Sequence, residues 1–243
     1  MTTAIILAGG LGTRLRSAVP DLPKPMAPIA GRPFLAHQMD HWIAQGVDRF
    51  VLSVGYRHEA ISGHFGRRYC GVPLDYVVEP APLGTGGALA LAAAGLPRGE
   101  YALLLNGDTY FDMPLRELLA HARSHDADWC FSLFRHDDPA RYMGVGLGRD
   151  GLITALRSPT APLANGGVYL FRPAALDAAA LAPGQAASLE NELFPRLVAA
   201  GQRFAGLESR GAFIDIGVPA DYHSAASVLP TARTPETDHA LAG

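Results

Sequence analysis

The string Gly9-Gly10-Leu11-Gly12-Thr13-Arg14-Leu15-Arg16, followed a turn later by Lys24-Pro25, gathers exposed backbone amides, a hydroxyl and cationic side chains at one point of the chain. Glycines let a backbone approach a large ligand closely and adopt positive φ. Amides and cations together match the oxygens of a polyphosphate. Lys24 is the single lysine; the other 19 of the 20 Lys+Arg are arginine. A chain that otherwise uses arginine has kept one compact ammonium here, and the two cations differ in geometry and hydration. Three acids stand in similar settings, each closing an apolar run: Glu79 in Glu79-Pro80-Ala81-Pro82-Leu83-Gly84-Thr85-Gly86-Gly87, Asp108 in Asn106-Gly107-Asp108-Thr109, and Asp215 in Phe213-Ile214-Asp215-Ile216-Gly217.

The elements that must position these groups alternate in type. Apolar, β-branched runs predict strands at Thr3–Ala8, Arg49–Val54, Leu74–Val78 and Tyr101–Asn106. Helical patterns fall between them at Phe34–Gln45, His58–Gly66 and Gly84–Ala94. Such alternation predicts βαβ units and an α/β fold: a Rossmann-like mixed, mostly parallel sheet with helices on both faces. Ligands in such sheets collect at the carboxyl ends of strands, where the glycine string and Asn106-Gly107-Asp108 both fall. Beyond Asp108 the reading is a helix from Pro114 to Ser124 and strands at Trp129–Phe134, Val145–Leu147, Leu152–Leu156 and Gly167–Phe171. Helices at Pro173–Ala180 and Leu189–Ala200 follow, then strands at Arg203–Leu207 and Ala212–Ile216 and a last helix from Pro219. One domain is expected over 1–230, with a frayed tail over 231–243.

Composition narrows the function classes. Of 243 residues, 49% are hydrophobic and 18% charged, which argues against a disordered chain. A net charge of -3 gives no general attraction to nucleic acid or to an acidic membrane, so positive charge must act locally. Cys70 and Cys130 lack zinc-ligand spacing and form no disulfide framework. The first apolar run is too short for a signal peptide or a membrane span, so a cytoplasmic enzyme is expected. His37 and His41, four apart on a predicted helix, come without the H-E-x-x-H pattern and read as solvated helix-face residues, as do His58 and His64.

The glycine string with its downstream Lys-Pro resembles the signature of the sugar-1-phosphate nucleotidyltransferases; it is neither a Walker A nor a Rossmann G-x-G-x-x-G pattern. The resemblance spans about residues 3–228 and implies a nucleotide-binding portion at about 1–110 and a sugar-binding portion at about 111–230 of the single domain. Within the family, Leu105–Phe111 and Phe213–Pro219 are most similar to the heptose 1-phosphate guanylyltransferases. The resemblance implies Mg²⁺ held by Asp108 and Asp215, oxygen ligands that suit a hard cation. It implies catalytic roles for Arg14 and Lys24, and a nucleotide site built from Leu7, Ala8, Gly9, Gly10, Gly12, Thr13, Glu79, Gly84, Thr85 and Asn106. Asn165 and Gly166, in Asn165-Gly166-Gly167-Val168-Tyr169, and Glu190 resemble sugar-contacting residues, and fit a turn or a helix start equally well. Many relatives carry a Glu-Lys pair before that strand. Here the region reads Ala155-Leu156-Arg157-Ser158, leaving Arg157 as either the substitute cation or a surface residue.

Glu79 bears on the base. In the family its position faces the nucleobase, and a carboxylate only accepts hydrogen bonds. Guanine offers N1–H and its exocyclic amino group side by side, so one carboxylate accepts both. Uracil and thymine present one N–H between two carbonyls, and adenine presents a bare acceptor. The expected reaction is therefore GTP plus a sugar 1-phosphate, D-glycero-α-D-manno-heptose 1-phosphate foremost, giving a GDP-sugar and pyrophosphate. Alternatives left open are a guanylyl-, thymidylyl- or uridylyltransferase for a hexose or cyclitol 1-phosphate, and a non-catalytic nucleotide-sugar sensor. No nucleic acid or membrane partner is expected; a homo-oligomer is left open.

Overall fold

The computed structural model describes residues 2–10, 12, 15, 19–20, 22–182 and 184–230. Its strands are β1 (Thr3–Leu7), β2 (Pro28–Ile29), β3 (Arg32–Pro33), β4 (Arg49–Val54), β5 (Arg68–Tyr69), β6 (Val72–Val78), β7 (Ala102–Asn106), β8 (Thr109–Phe111), β9 (Trp129–Arg135), β10 (Gly144–Leu147), β11 (Ile153–Ser158), β12 (Leu163–Phe171), β13 (Phe204–Glu208) and β14 (Phe213–Asp215). The α-helices are α1 (Phe34–Ala44), α2 (His58–Phe65), α3 (Gly84–Ala93), α4 (Leu115–Ser124), α5 (Phe194–Ala199) and α6 (Pro219–Val228).

The main sheet runs β11-β10-β12-β7-β1-β4-β6-β5, with β9 paired to both β12 and β13. Its first-half strands β7, β1, β4 and β6 are mutually parallel, whereas β12 enters antiparallel to β7 and β9. The central parallel strands β1, β4 and β7 are almost continuously apolar because both of their faces are covered, whereas β6, nearer the sheet edge, carries Asp75 and is partly exposed. Ala4 and Ile6 on β1, Phe50 and Leu52 on β4, and Leu103 and Leu105 on β7 point into one core with α1 and α4. Ile5, Val51 and Leu104, one residue out of phase, point into the opposite core with α3 and α5. A third apolar cluster joins Leu15, Ala27, Ile29 and Phe34 to Tyr110, Ile214, Ile216 and Ala225, tying the N-terminal loop region to the last helix.

The expected strands and helices are present, with four differences in detail. The 173–180 segment is a 3₁₀ helix, Pro173–Ala179. The 189–200 segment opens as a π-helical turn, Leu189–Leu193, before becoming α5. β12 begins at Leu163, ahead of the expected Gly167, because Asn165-Gly166-Gly167 forms an irregularity inside the strand with Gly167 at φ +72°. His37 and His41 are not solvated: His37 is buried and donates from Nε2 to Ile29 O at 3.0 Å, and His41 packs edge-on to Trp42 and Tyr110. They face Ile29 and Tyr110, on the side of α1 that meets the third apolar cluster. Residues 231–243, expected to form a tail, lie outside the described residues.

Candidate active site

The carboxyl ends of β1, β4, β6 and β7 meet at one edge of the sheet. Ladder-like bonds continue past the strands: Ala8 N donates to Ser53 O at 2.7 Å, Glu79 N to Val54 O at 2.8 Å and Gly107 N to Leu7 O at 3.0 Å. Those extensions set the glycine loop, Glu79 and the Asp108 turn side by side. Gly107 must be glycine, since a Cβ there would lie 2.3 Å from Leu7 O.

Between them opens a cleft of about 250 Å³, lined by Leu7, Gly9, Gly10, Glu79, Gly84, Thr85, Asn106 and Asp108 among others. A smaller lobe of about 60 Å³ continues from Leu7, Gly10 and Asp108 to Ala8 and Lys24. The two lobes form one groove with an acid at one end and a cation–acid pair at the other.

At the first end, Glu79 is fixed by Leu83 N, which donates to Oε2 at 3.1 Å, and by Ser53 Oγ, which donates to Oε1 at 3.3 Å. Its Oε1 rests against Gly9, where an added Cβ would lie 2.1 Å away. At the other end, Lys24 opens a short 3₁₀ turn, Lys24–Met26, whose Pro25 and Met26 are buried. The Lys24 side chain runs over Gly12 and its Nζ donates to Asp108 Oδ2 at 2.9 Å. Antiparallel pairing of β8 with β14 places Asp215 opposite Thr109, and Ile216 N donates to Asp108 O at 2.9 Å. Asp215 Oδ1 accepts from Gly217 N at 2.7 Å, and Lys24 Nζ lies 3.2 Å from where a Gly217 Cβ would stand. Two carboxylates thus flank one ammonium, an all-oxygen donor set that fits a hard divalent cation sharing phosphate and water ligands. Among the described residues no group of three or more His, Cys, Asp or Glu is placed to hold a metal by itself.

The expected sugar residues lie beside the groove and do not line it. Asn165 has both ends of its amide engaged within its strand: Nδ2 donates to Tyr169 Oη at 2.6 Å and Oδ1 accepts from Gly167 N at 3.0 Å. Gly166 is buried against Phe111. Burial, reinforced by the Glu190 charge, pushes the Tyr169 hydroxyl far up, so it stays protonated. Glu190 reaches the groove wall through Thr85, whose Oγ1 donates to Glu190 Oε2 at 3.1 Å and accepts from Leu189 N at 2.8 Å. Arg157, exposed on β11, donates to Asn191 Oδ1 at 2.6 Å, next to Glu190. The glycines after Glu79 have a chain-packing reason as well: Gly86 and Gly87 both donate to Ala187 O, and a Cβ on Gly87 would meet Gln185 O at 2.5 Å. Thr13 and Arg14 lie outside the described residues. Sequence reasoning missed Gln38, whose Nε2 donates to both Asn106 O and Thr109 O across the Asp108 turn. Its only sequence signal is a polar residue among the apolar positions of α1.

The nucleotidyl transferase family model matches residues 3–231, and the chain belongs to that family. D-glycero-α-D-manno-heptose 1-phosphate guanylyltransferase from Aneurinibacillus thermoaerophilus is 39% identical over 229 residues, covering 93% of this chain and 97% of the relative. The protein of the same name from Campylobacter jejuni is 35% identical over 228 residues, with 90% and 96% covered. Mannose-1-phosphate guanylyltransferase from Mycobacterium tuberculosis is 34% identical over 225 residues, and this chain spans 62% of its length. Among solved structures, HddC from Yersinia pseudotuberculosis in complex with GMP-PN superposes with a TM-score of 0.80 at 31% identity, covering 93% of this chain and 99% of that one. Among the described residues no helix is long and apolar enough to cross a membrane.

Proposed function

We propose that the chain transfers a guanylyl group from GTP to D-glycero-α-D-manno-heptose 1-phosphate, giving GDP-heptose and pyrophosphate. The observation that carries the nucleotide is Glu79: a carboxylate anchored on Leu83 N and Ser53 Oγ that lines the groove nearest the glycine loop. Its free acceptor directions suit the paired N–H donors of guanine. The heptose rests on the names of the two relatives that this chain matches along nearly their full length.

In the reaction a phosphate oxygen of the sugar forms a bond to the α-phosphorus of GTP while the bond to the β-phosphate oxygen breaks, and pyrophosphate leaves in line. The nucleophile is already an anion at neutral pH, so no general base is needed and the protein acts by orientation and charge. Lys24 stands between the two phosphates and relieves their repulsion. Arg14 and the Gly10–Thr13 amides hold the departing pyrophosphate. Asp108 and Asp215 would hold Mg²⁺, which neutralises phosphate charge when bound. Asn165, Gly166, Glu190 and Arg157 would form the sugar side, Glu190 being the member joined to the groove through Thr85. The first half of the chain supplies the nucleotide portion and the second half the sugar portion.

Pyrophosphate release from a matrix of nucleoside triphosphates against heptose, mannose and glucose 1-phosphates tests the reaction. Turnover concentrated in the GTP–heptose cell is the expected result. A maximum in the mannose column would replace the sugar, and no release in any cell would favour a sensor. Glu79→Gln puts an N–H donor where guanine also donates. Removing charge-assisted bonds of this kind should cut the preference for GTP over UTP roughly 10–100-fold. An unchanged nucleotide profile would take Glu79 out of the base site.

A further inference from the structure

We infer that Gln38 is a positioning residue for the reaction, a clamp that fixes the Asn106-Gly107-Asp108-Thr109 turn against helix α1. Gln38 is 2% exposed, and its Nε2 donates both hydrogens to main-chain carbonyls, Asn106 O at 2.7 Å and Thr109 O at 2.6 Å. The two acceptors bracket Gly107 and Asp108, so the clamp closes on the segment that presents the carboxylate. Among residues of this reach only glutamine supplies two donors from one neutral nitrogen. Gln38 Oε1 is buried and takes no hydrogen bond from the described residues. The amide thus leaves its own oxygen without a partner while both of its hydrogens go to the two ends of the Asp108 turn.

The same helix holds the opposing group. Phe34 N donates to Ala27 O, directly after the Lys24–Met26 turn, and His37 Nε2 donates to Ile29 O. Helix α1 therefore carries the Lys24 turn at its start and the Asp108 turn one turn further on, and sets the 2.9 Å separation between ammonium and carboxylate. Gln45, the residue that caps α1 at its C-terminal end, provides an internal control. It accepts from Leu115 N and donates to Met113 O, tying α1 to the chain beyond the site.

The inference rests on the assigned reaction for its kinetic reading. The test compares Gln38→Met, which keeps length and volume but has no donor, with Gln45→Met and the unaltered protein. For Gln38→Met, kcat should fall roughly 10–100-fold, the scale of losing a partner that orients a ligating group. KM for GTP should change less than about threefold and Tm by no more than Gln45→Met changes it, since each variant keeps the side-chain volume and removes two hydrogen bonds to the main chain. Mn²⁺ titrated into the nucleotide-free proteins, followed by the paramagnetic resonance of the free ion, should show weaker binding for Gln38→Met alone. That readout needs no substrate: a wild-type protein inactive with every nucleotide would count against the proposed reaction, while selectively weakened Mn²⁺ binding would still support the clamp. A folded Gln38→Met protein with unaltered kcat and Mn²⁺ affinity would overturn it, as would losses equal to those of Gln45→Met.

Discussion

Replacement of Lys24 by alanine is expected to lower kcat by roughly 10²–10³-fold, the effect of deleting one donor aimed at transition-state charge. The residue is placed for that role by its surroundings. Its backbone is held by Ala27 N donating to Lys24 O, its stem crosses Gly12 where a Cβ would approach Cγ to 2.9 Å, and its ammonium stands 2.9 Å from Asp108. The fold should survive the change, because Asp108 keeps solvent access at 31% side-chain exposure and its carboxylate is not left as a buried unpaired charge. Lys24→Arg should restore little activity: the guanidinium is broader and planar, and the space beside Gly217 and Asp215 admits a compact head group. Steady-state kinetics paired with thermal unfolding check both variants. Near-normal turnover of Lys24→Ala would remove it from the reaction.

The second large effect is expected at the carboxylate pair. Asp108→Asn and Asp215→Asn should each reduce turnover by about two to three orders of magnitude and shift half-saturation by Mg²⁺ at least about tenfold upward. Both substitutions separate charge from hydrogen bonding. An asparagine at 108 can still accept from Lys24, and one at 215 can still accept from Gly217 N, so the local hydrogen bonds persist while one negative charge is lost. An effect of this size would then come from charge toward the cation and not from a collapsed loop. Activity measured across a Mg²⁺ series is the check, and an unchanged cation dependence in either variant would separate that carboxylate from the metal.

Much of this site was legible in the sequence because it is written in contiguous strings. An apolar run ending in glycines reads as a strand feeding a loop, and Glu79, Asp108 and Asp215 each close an apolar run. Parallel strands then bring Glu79 and Asp108 to one edge without further information, whereas Asp215 arrives through the antiparallel pairing of β14 with β8. What the sequence did not reveal is mostly pairing between distant segments. Nothing local says that Lys24 meets Asp108, 84 positions away, or that Gly86 and Gly87 are small because the chain at Gln185–Ala187 lies on them. Gln38 was invisible for the same reason: its partners are main-chain carbonyls, which carry no residue-specific signal. Asn165 shows the reverse case. Its string matches a sugar-contacting strand, yet both ends of its amide close on Tyr169 and Gly167 within that strand. His37 and His41 read as solvated because helical period alone does not say which face is packed.

In the proposed reaction the groove between Glu79 and Lys24 selects guanine and delivers its nucleotide to a heptose 1-phosphate. A single competition tests it: equimolar GTP, ATP, CTP, UTP and dTTP with D-glycero-α-D-manno-heptose 1-phosphate and Mg²⁺, the products resolved by mass. A product pool dominated by GDP-heptose is the predicted result. A pool dominated by the uridine or thymidine diphosphate sugar, or one that follows no base preference, would contradict it.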